Sequence, residues 1–236
     1  MSAASHERGN APVAIKICGL TRPQDALRAE AAGASFLGVI LAGGPRLLDL
    51  PTAARVLGPR RAGVQRVAVF GAQSTAQIVD AAAALDLDVV QLHGDPTPDD
   101  VAVIQRQTER AVWPVLRVEG TQLPHGTAAL AGVSGVLVLD AHVIGQLGGT
   151  GVALDWSGLA DSVGRLREEI PLLQLVVAGG LRPRNVSDAI RLLAPDVVDV
   201  SSGVESTPGV KDPEAIECFV NAVRRGTRND DGGREG

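Results

Sequence analysis

The chain has 236 residues and a net charge of −5 from 22 basic and 27 acidic side chains. It is 45% hydrophobic but only 2% aromatic, with no Tyr. That length is compatible with a single barrel domain, the scarcity of aromatics excludes recognition of nucleic acid by base stacking, and an acidic balance without a long Lys/Arg block excludes a broad polyanion-binding surface while allowing small anions at local sites.

Residues 1–11 are polar and carry no apolar signal segment, so a cytoplasmic protein with a disordered N-terminal arm is expected. The longest stretch free of Asp, Glu, Lys and Arg, residues 120–139, holds Gln122, Pro124, His125, Thr127 and Ser134 and is too polar for a membrane span. Cys18 and Cys218 are too distant in sequence for a zinc-type pair, and a reducing compartment keeps them separate thiols. No metal and no other cofactor is expected.

In chain order, short β-branched runs are predicted as strands at 13–18, 36–41, 66–70, 89–93, 113–118, 135–140, 175–179 and 197–201. Helical patterns at 23–32, 52–57, 75–85, 98–107, 156–166, 183–193 and 213–224 fill the gaps, several with Pro near the first turn, and Gly33 reads as a helix stop. The runs are nearly all apolar, as in a parallel sheet covered on both faces. Eight repeats without a linker predict a single (β/α)8 barrel domain over residues 12–225, followed by a disordered tail, 226–236. The runner-up, a doubly wound open sheet, lacks a dinucleotide fingerprint in its first turn, Cys18-Gly19-Leu20-Thr21.

A barrel of this kind places its chemistry at the C-terminal ends of its strands. Cys18, after Lys16 and before a helix start, sits where a nearby cation lowers a thiol's pKa; the bland reading is a small buried hydrophobe. Cys218, inside the last helix, reads as core. Asp140 follows four apolar residues, a partly desolvated setting that suits a general acid and equally fits a cap or loop carboxylate. His93 is a candidate base or a loop-ordering side chain. The turns at Gly179–Gly180 and Ser201-Ser202-Gly203 expose backbone N–H groups where barrels hold phosphate, unless they only close tight turns. Gly148-Gly149-Thr150-Gly151 reads as a lid or a passive loop, and Arg46 as a carboxylate clamp or a solvated side chain.

Taken together, Lys16-Ile17-Cys18-Gly19-Leu20-Thr21, Gln91-Leu92-His93-Gly94, Leu139-Asp140, Gly148-Gly149-Thr150-Gly151 with Asp155-Trp156, Ala178-Gly179-Gly180-Leu181, and Asp199-Val200-Ser201-Ser202-Gly203-Val204-Glu205 with Pro208-Gly209 and Lys211-Asp212 resemble the phosphoribosylanthranilate isomerase family of tryptophan biosynthesis. The resemblance runs from Lys16 to about Arg224. It implies Cys18 as general base, Asp140 as general acid, and Arg46, His93 and Asp199 as substrate-binding residues, with phosphate held at Gly149, Gly179, Gly180, Ser201, Ser202 and Gly203. It also implies a small phosphosugar substrate, no nucleic-acid or membrane partner, and a monomer or weak homodimer. Ala42-Gly43-Gly44-Pro45-Arg46 lacks the serine and aromatic usual there, Phe70-Gly71-Ala72 stands where Phe-Val-Asn is usual, and Val152 stands where a basic residue is common. Three other readings are a divergent barrel relative acting on a related phosphosugar or anthranilate-derived substrate, a catalytically silent phosphate-binding subunit, and a different phosphate-binding barrel enzyme such as indole-glycerol-phosphate synthase. The last uses a strand-end lysine acid, whereas Lys16 and Lys211 are the only lysines here.

Overall fold

The computed structural model describes residues 12–141 and 155–228. Eight parallel strands, β1 (Ala14–Ile17), β2 (Phe36–Ile40), β3 (Gln65–Phe70), β4 (Val89–Leu92), β5 (Ala111–Val118), β6 (Val136–Ala141), β7 (Gln174–Val177) and β8 (Val197–Val200), pair in sequence order. The β1·β8 ladder closes the barrel, with Ala14 opposite Val197 and Lys16 opposite Asp199. Around it lie α1 (Pro23–Ala32), α2 (Leu50–Leu57), α3 (Thr75–Ala84), α4 (Pro98–Thr108), α5 (Thr127–Ser134), α6 (Trp156–Glu169), α7 (Val186–Leu193) and α8 (Pro213–Arg228).

Side chains alternate along each strand, so one parity faces the barrel axis and the other faces the helices. The outward set, including Ile15, Ile17, Leu37, Val39, Ala68 and Phe70, joins the helices in the main core. Phe36, Val67, Val89, Trp113, Val115, Val138, Val176, Ala178 and Val197 fill a separate inner cluster. Phe36 and Trp113 meet edge to face at 4.9 Å, so the two largest rings of that cluster close its centre. Two residues further along several of these strands the same parity turns polar, as at Gln91 and Asp199, which floors the mouth above the plug.

Local signals set the helix starts. Asp49 accepts from the Thr52 N–H at the head of α2, and Ser74 with Gln77 and Thr97 with Asp100 form capping boxes on α3 and α4. Gly33, at φ 108°, ends α1 as expected.

Several boundaries differ from the sequence reading. Cys18, His93 and Ser201 lie one residue beyond their strands, and Gly179 two beyond. Helix α5 was not expected: its eight residues are nearly all small or apolar and show no polar face to give a helical period. Helix α7 starts at Val186 rather than 183, because Pro183 lies in a turn bracketed by Asn185. Helix α8 runs to Arg228, so the expected tail from residue 226 is corrected. Gly226 is helical, and a Cβ there would approach Ile190 Cδ1 and Ser187 Cα to 3.2 Å, so glycine allows α8 to close on α7.

After β8, a short turn of 3-10 helix (Ser202–Val204) leads into a hairpin, β9 (Glu205–Thr207) and β10 (Val210–Lys211). Thr21 Oγ1 donates to the Gly209 carbonyl, pinning the hairpin to the β1–α1 loop. Fully buried Asp25 on α1 accepts the Arg22 fork at 2.8 Å on both oxygens and the Lys211 N–H at 3.1 Å. Asp25→Ala should therefore strand Arg22 and the Lys211 amide and cost about 2–4 kcal/mol, read by urea unfolding. A loss below about 0.5 kcal/mol would show that the hairpin is held by other contacts.

Candidate active site

One cavity opens at the C-terminal ends of the strands, about 860 Å³ including the part open to solvent. Its walls contain Cys18, Arg46, His93, Asp140, Gly179, Gly180, Asp199, Ser201, Ser202 and Gly203, so all but one of the residues anticipated from the sequence converge there. Gly149 and the rest of the Gly148–Gly151 motif lie outside the described residues.

The inward parity of β1 and β8 builds the first cluster. Lys16, fully buried, donates from Nζ to Asp199 Oδ2 at 2.7 Å. Cys18 stands two residues along on the same face, and a Cβ on Gly38 would meet Cys18 Sγ at 3.1 Å and Lys16 Cε at 3.3 Å. Glycine at 38 is what leaves space for both side chains. Burial works to lower the Lys16 ammonium, but attraction to Asp199 and Cys18 outweighs it, and the group is raised above an ordinary lysine. Burial pushes the Cys18 thiol up, Lys16 opposes this with a smaller effect, and the Asp199 charge adds to the rise. The local sequence showed only the cation that lowers the thiol; in the folded barrel desolvation outweighs Lys16.

Across the mouth, His93 Nε2 and Asp140 Oδ2 share a hydrogen bond of 3.0 Å. Burial works to lower the His93 imidazole, but the bond and charge of Asp140 outweigh it and raise it above its usual 6.5. His93 thus orders the carboxylate next to it.

Arg46 is nearly buried, and its Nε and Nη2 donate to Glu205 Oε1 and Oε2 at 2.8 and 2.6 Å. Lys211 Nζ donates to the same Oε1 at 2.8 Å and to the Ser201 carbonyl at 3.0 Å. Burial pushes the Glu205 carboxyl up, and Arg46 and Lys211 together outweigh it and hold it below its ordinary value. The open clamp expected at Arg46 is corrected accordingly: its fork is occupied from within the chain, and the Nη1 edge is what it can offer a ligand.

Gly179 and Gly180 both adopt left-handed backbone, φ 79° and 66°, a pair that favours glycine over any side chain. Asn185 braces the turn by donating to the Gly180 carbonyl and accepting the Arg182 N–H. A Cβ on Gly203 would lie 1.8 Å from the Leu181 carbonyl oxygen, so the two turns approach as closely as glycine permits.

Three buried polar atoms around the cavity have no hydrogen-bond partner among the described residues: Gln91 Oε1, Asp199 Oδ1 and Ser201 Oγ. Buried acceptors of this kind are normally satisfied, and ligand donors are the natural partners at a cavity wall. Gln91, Glu205 and Lys211 had no role in the sequence reading. For Gln91 the signal was present: it precedes His93 by two residues and so shares its inward face. Glu205 and Lys211 gave no such signal, because a hairpin after the last strand brings them together.

A closed (β/α)8 barrel whose buried ionisable groups converge on one cavity at the strand C-termini defines a barrel enzyme. Comparison with known proteins specifies which. The family model described as N-(5'phosphoribosyl)anthranilate (PRA) isomerase matches residues 15–222. N-(5'-phosphoribosyl)anthranilate isomerase of Pseudomonas aeruginosa LESB58 is 39% identical over 220 residues, 92% of this chain and 98% of that protein. The crystal structure of phosphoribosyl anthranilate isomerase from Thermotoga maritima superposes with a TM-score of 0.78 at 30% identity, covering 90% of this chain and 99% of that one. Another such isomerase, solved in complex with reduced 1-(o-carboxyphenylamino)-1-deoxyribulose 5-phosphate, gives 0.77 at 30% identity with the same coverage. The chain belongs to the phosphoribosylanthranilate isomerase family.

The His93–Asp140 pair gives a pH prediction. Because His93 is raised in the folded state, its contribution to stability is fully present below pH 6.5 and is lost as pH rises through the folded value. By NMR its imidazole should titrate above 6.5 in the native chain and distinctly lower in Asp140→Asn, where burial and the Arg117 charge are opposed only by a backbone hydrogen bond. A midpoint unmoved by the substitution would assign the shift to another group.

Proposed function

We propose that the chain catalyses the Amadori rearrangement of N-(5-phosphoribosyl)anthranilate to 1-(2-carboxyphenylamino)-1-deoxyribulose 5-phosphate by general acid–base catalysis, the isomerase step of tryptophan biosynthesis. The observation that carries this reading is that Cys18 and Asp140 line one cavity, just past the end of β1 and near the end of β6 in a barrel whose family match spans nearly all of the described core.

In its protonated form Asp140 gives its proton to the furanose ring oxygen, the C1′–O bond breaks, and the anilino nitrogen lone pair forms a Schiff base at C1′. Cys18, as thiolate, removes the C2′ proton, and the freed electron pair makes the C1′–C2′ enolamine, which tautomerises to the C2′ ketone. His93 occupies one oxygen of Asp140 and leaves the other for the sugar. Asp199 Oδ1 accepts the anilino N–H, and the free edge of Arg46 receives the ring carboxylate. Phosphate sits on the backbone N–H groups at Gly179–Gly180 and Ser202–Gly203, with Ser201 Oγ beside them, so that dianion recognition relies on peptide dipoles rather than a cation cluster.

Turnover of N-(5-phosphoribosyl)anthranilate tests the reading directly. Cys18→Ser and Asp140→Asn should each lower kcat at least ~10²-fold while ligand affinity stays near that of the native chain, since both groups act on the transition state. Because burial raises the Cys18 thiol, the native rate should climb with pH as thiolate forms. Native-like kcat in Cys18→Ser would remove the thiolate as base. For the anion site, Gly203→Ala must force the Leu181 carbonyl aside, and KM should rise ~10-fold or more with kcat less affected; an unchanged KM would place the phosphate elsewhere.

A further inference from the structure

Lys16 takes no part in the scheme above, yet it is a fully buried ammonium bonded to one of the residues that line the cavity, Asp199. Its position follows from register: Lys16 is the cross-strand partner of Asp199 in the seam that closes the barrel, and Cys18 is its same-face neighbour two residues on. One side of its ammonium is taken by Asp199 Oδ2 at 2.7 Å. The Cys18 side chain is its other neighbour: a Cβ on Gly38 would meet Cys18 Sγ at 3.1 Å and Lys16 Cε at 3.3 Å, and the sulfur and the ammonium attract each other. The second Asp199 oxygen, Oδ1, is buried beside the cavity and has no partner among the described residues.

We propose that Lys16 is a positioning residue for the base, a single counter-ion for which Asp199 and the Cys18 sulfur compete, so that a substrate N–H taken up by Asp199 Oδ1 frees Lys16 to stabilise the Cys18 thiolate. This rests on the reading of Cys18 as base and Asp199 as receiver of the anilino N–H. In the ligand-free site the carboxylate holds the ammonium by charge and a short hydrogen bond, and the thiol stays protonated. When a ligand N–H shares the Asp199 charge, the same ammonium weighs more on sulfur; the thiol proton leaves to solvent, and Lys16 remains an ammonium throughout. The base is thereby charged in register with substrate, and an empty site is left with a poorly nucleophilic thiol. The charged groups facing Cys18 are Lys16 from β1, Asp199 from β8, Lys211 from β10 and Arg46 from the β2–α2 loop. Asp140 from β6 acts on Asp199. Lys211 and Arg46 share Glu205, which leaves Lys16 as the cation whose partner a ligand can draw off.

The test is the pH dependence of Cys18 alkylation by iodoacetamide in full-length protein without substrate, in a Cys218→Ser background that removes the second thiol, which is exposed on α8 and not in the core where the sequence placed it. The thiolate sulfur displaces iodide, so the rate follows the thiolate fraction. Asp199→Asn leaves Lys16 with only the sulfur to serve, and the midpoint should fall by about one unit, a roughly tenfold faster reaction at neutral pH. Lys16→Met should move it the other way by a similar amount. Opposite shifts support a shared counter-ion; no shift, or shifts of the same sign, overturn it. Should Lys16→Met fail to fold, Asp199→Asn decides alone: a lower midpoint supports the proposal, and an unchanged or higher one overturns it. The readout is independent of turnover. Opposite shifts together with full activity in Cys18→Ser would sink the catalytic reading and leave the counter-ion standing.

Discussion

The seam between β1 and β8 is the constraint on which the rest of the molecule depends. Closing an eight-stranded sheet fixes which residues lie opposite each other, and here the pairing sets Lys16 against Asp199 at the level where the apolar plug ends. A slip of β1 by one residue would send Lys16 into the helix layer, turn Ile15 and Ile17 toward the barrel axis, and leave Asp199 inside without its partner. The ion pair and the register therefore enforce each other. A buried charge stripped of its partner costs about 3–5 kcal/mol, so a mispaired seam is strongly disfavoured even though the pair itself adds little net stability over an apolar equivalent.

A second set of charges carries this order outward. The hairpin after β8 brings Glu205 and Lys211 over the mouth, Asp25 on α1 holds the hairpin from outside, and Glu205 in turn fixes the Arg46 fork from the β2–α2 loop. Chain segments far apart in sequence are thereby tied by charged bonds between largely buried groups, and these bonds hold the loops that carry the polar side chains. Such preorganisation suits a reaction that moves protons between fixed groups and a sugar, because little reorganisation remains for the chemical step.

The barrel was legible because its elements are locally consistent: β-branched runs recur eight times with helical patterns between most of them, and the strand-end residues could be named from position alone. What was not legible depended on distance in sequence. The Arg46–Glu205 fork spans 159 positions and the Lys16–Asp199 pair 183, and neither partner announces the other. The rise in the Cys18 thiol also ran against the reading from local sequence, since a cation two residues away was visible and the desolvation that outweighs it was not. Helix α5 escaped notice for a different reason, as small apolar residues without a polar face leave no periodic trace. Gln91 lay within reach of parity alone.

The composition that excluded aromatic stacking at the outset also decides how this protein looks in ultraviolet light. With no Tyr and two Trp, its near-ultraviolet signal comes almost entirely from two indoles, and they stand in different environments. Trp113 lies in the plug beneath the active site, edge-on to Phe36, where only opening of the barrel would expose it to water. Trp156 opens α6, the helix that follows the stretch between β6 and that helix, and its indole is likewise buried. Replacing either one by Phe would leave a single-emitter protein, one reporting on closure of the sheet and the other on the packing of the helices around it. The chain thus carries two built-in optical probes, one inside the barrel and one in the layer outside it.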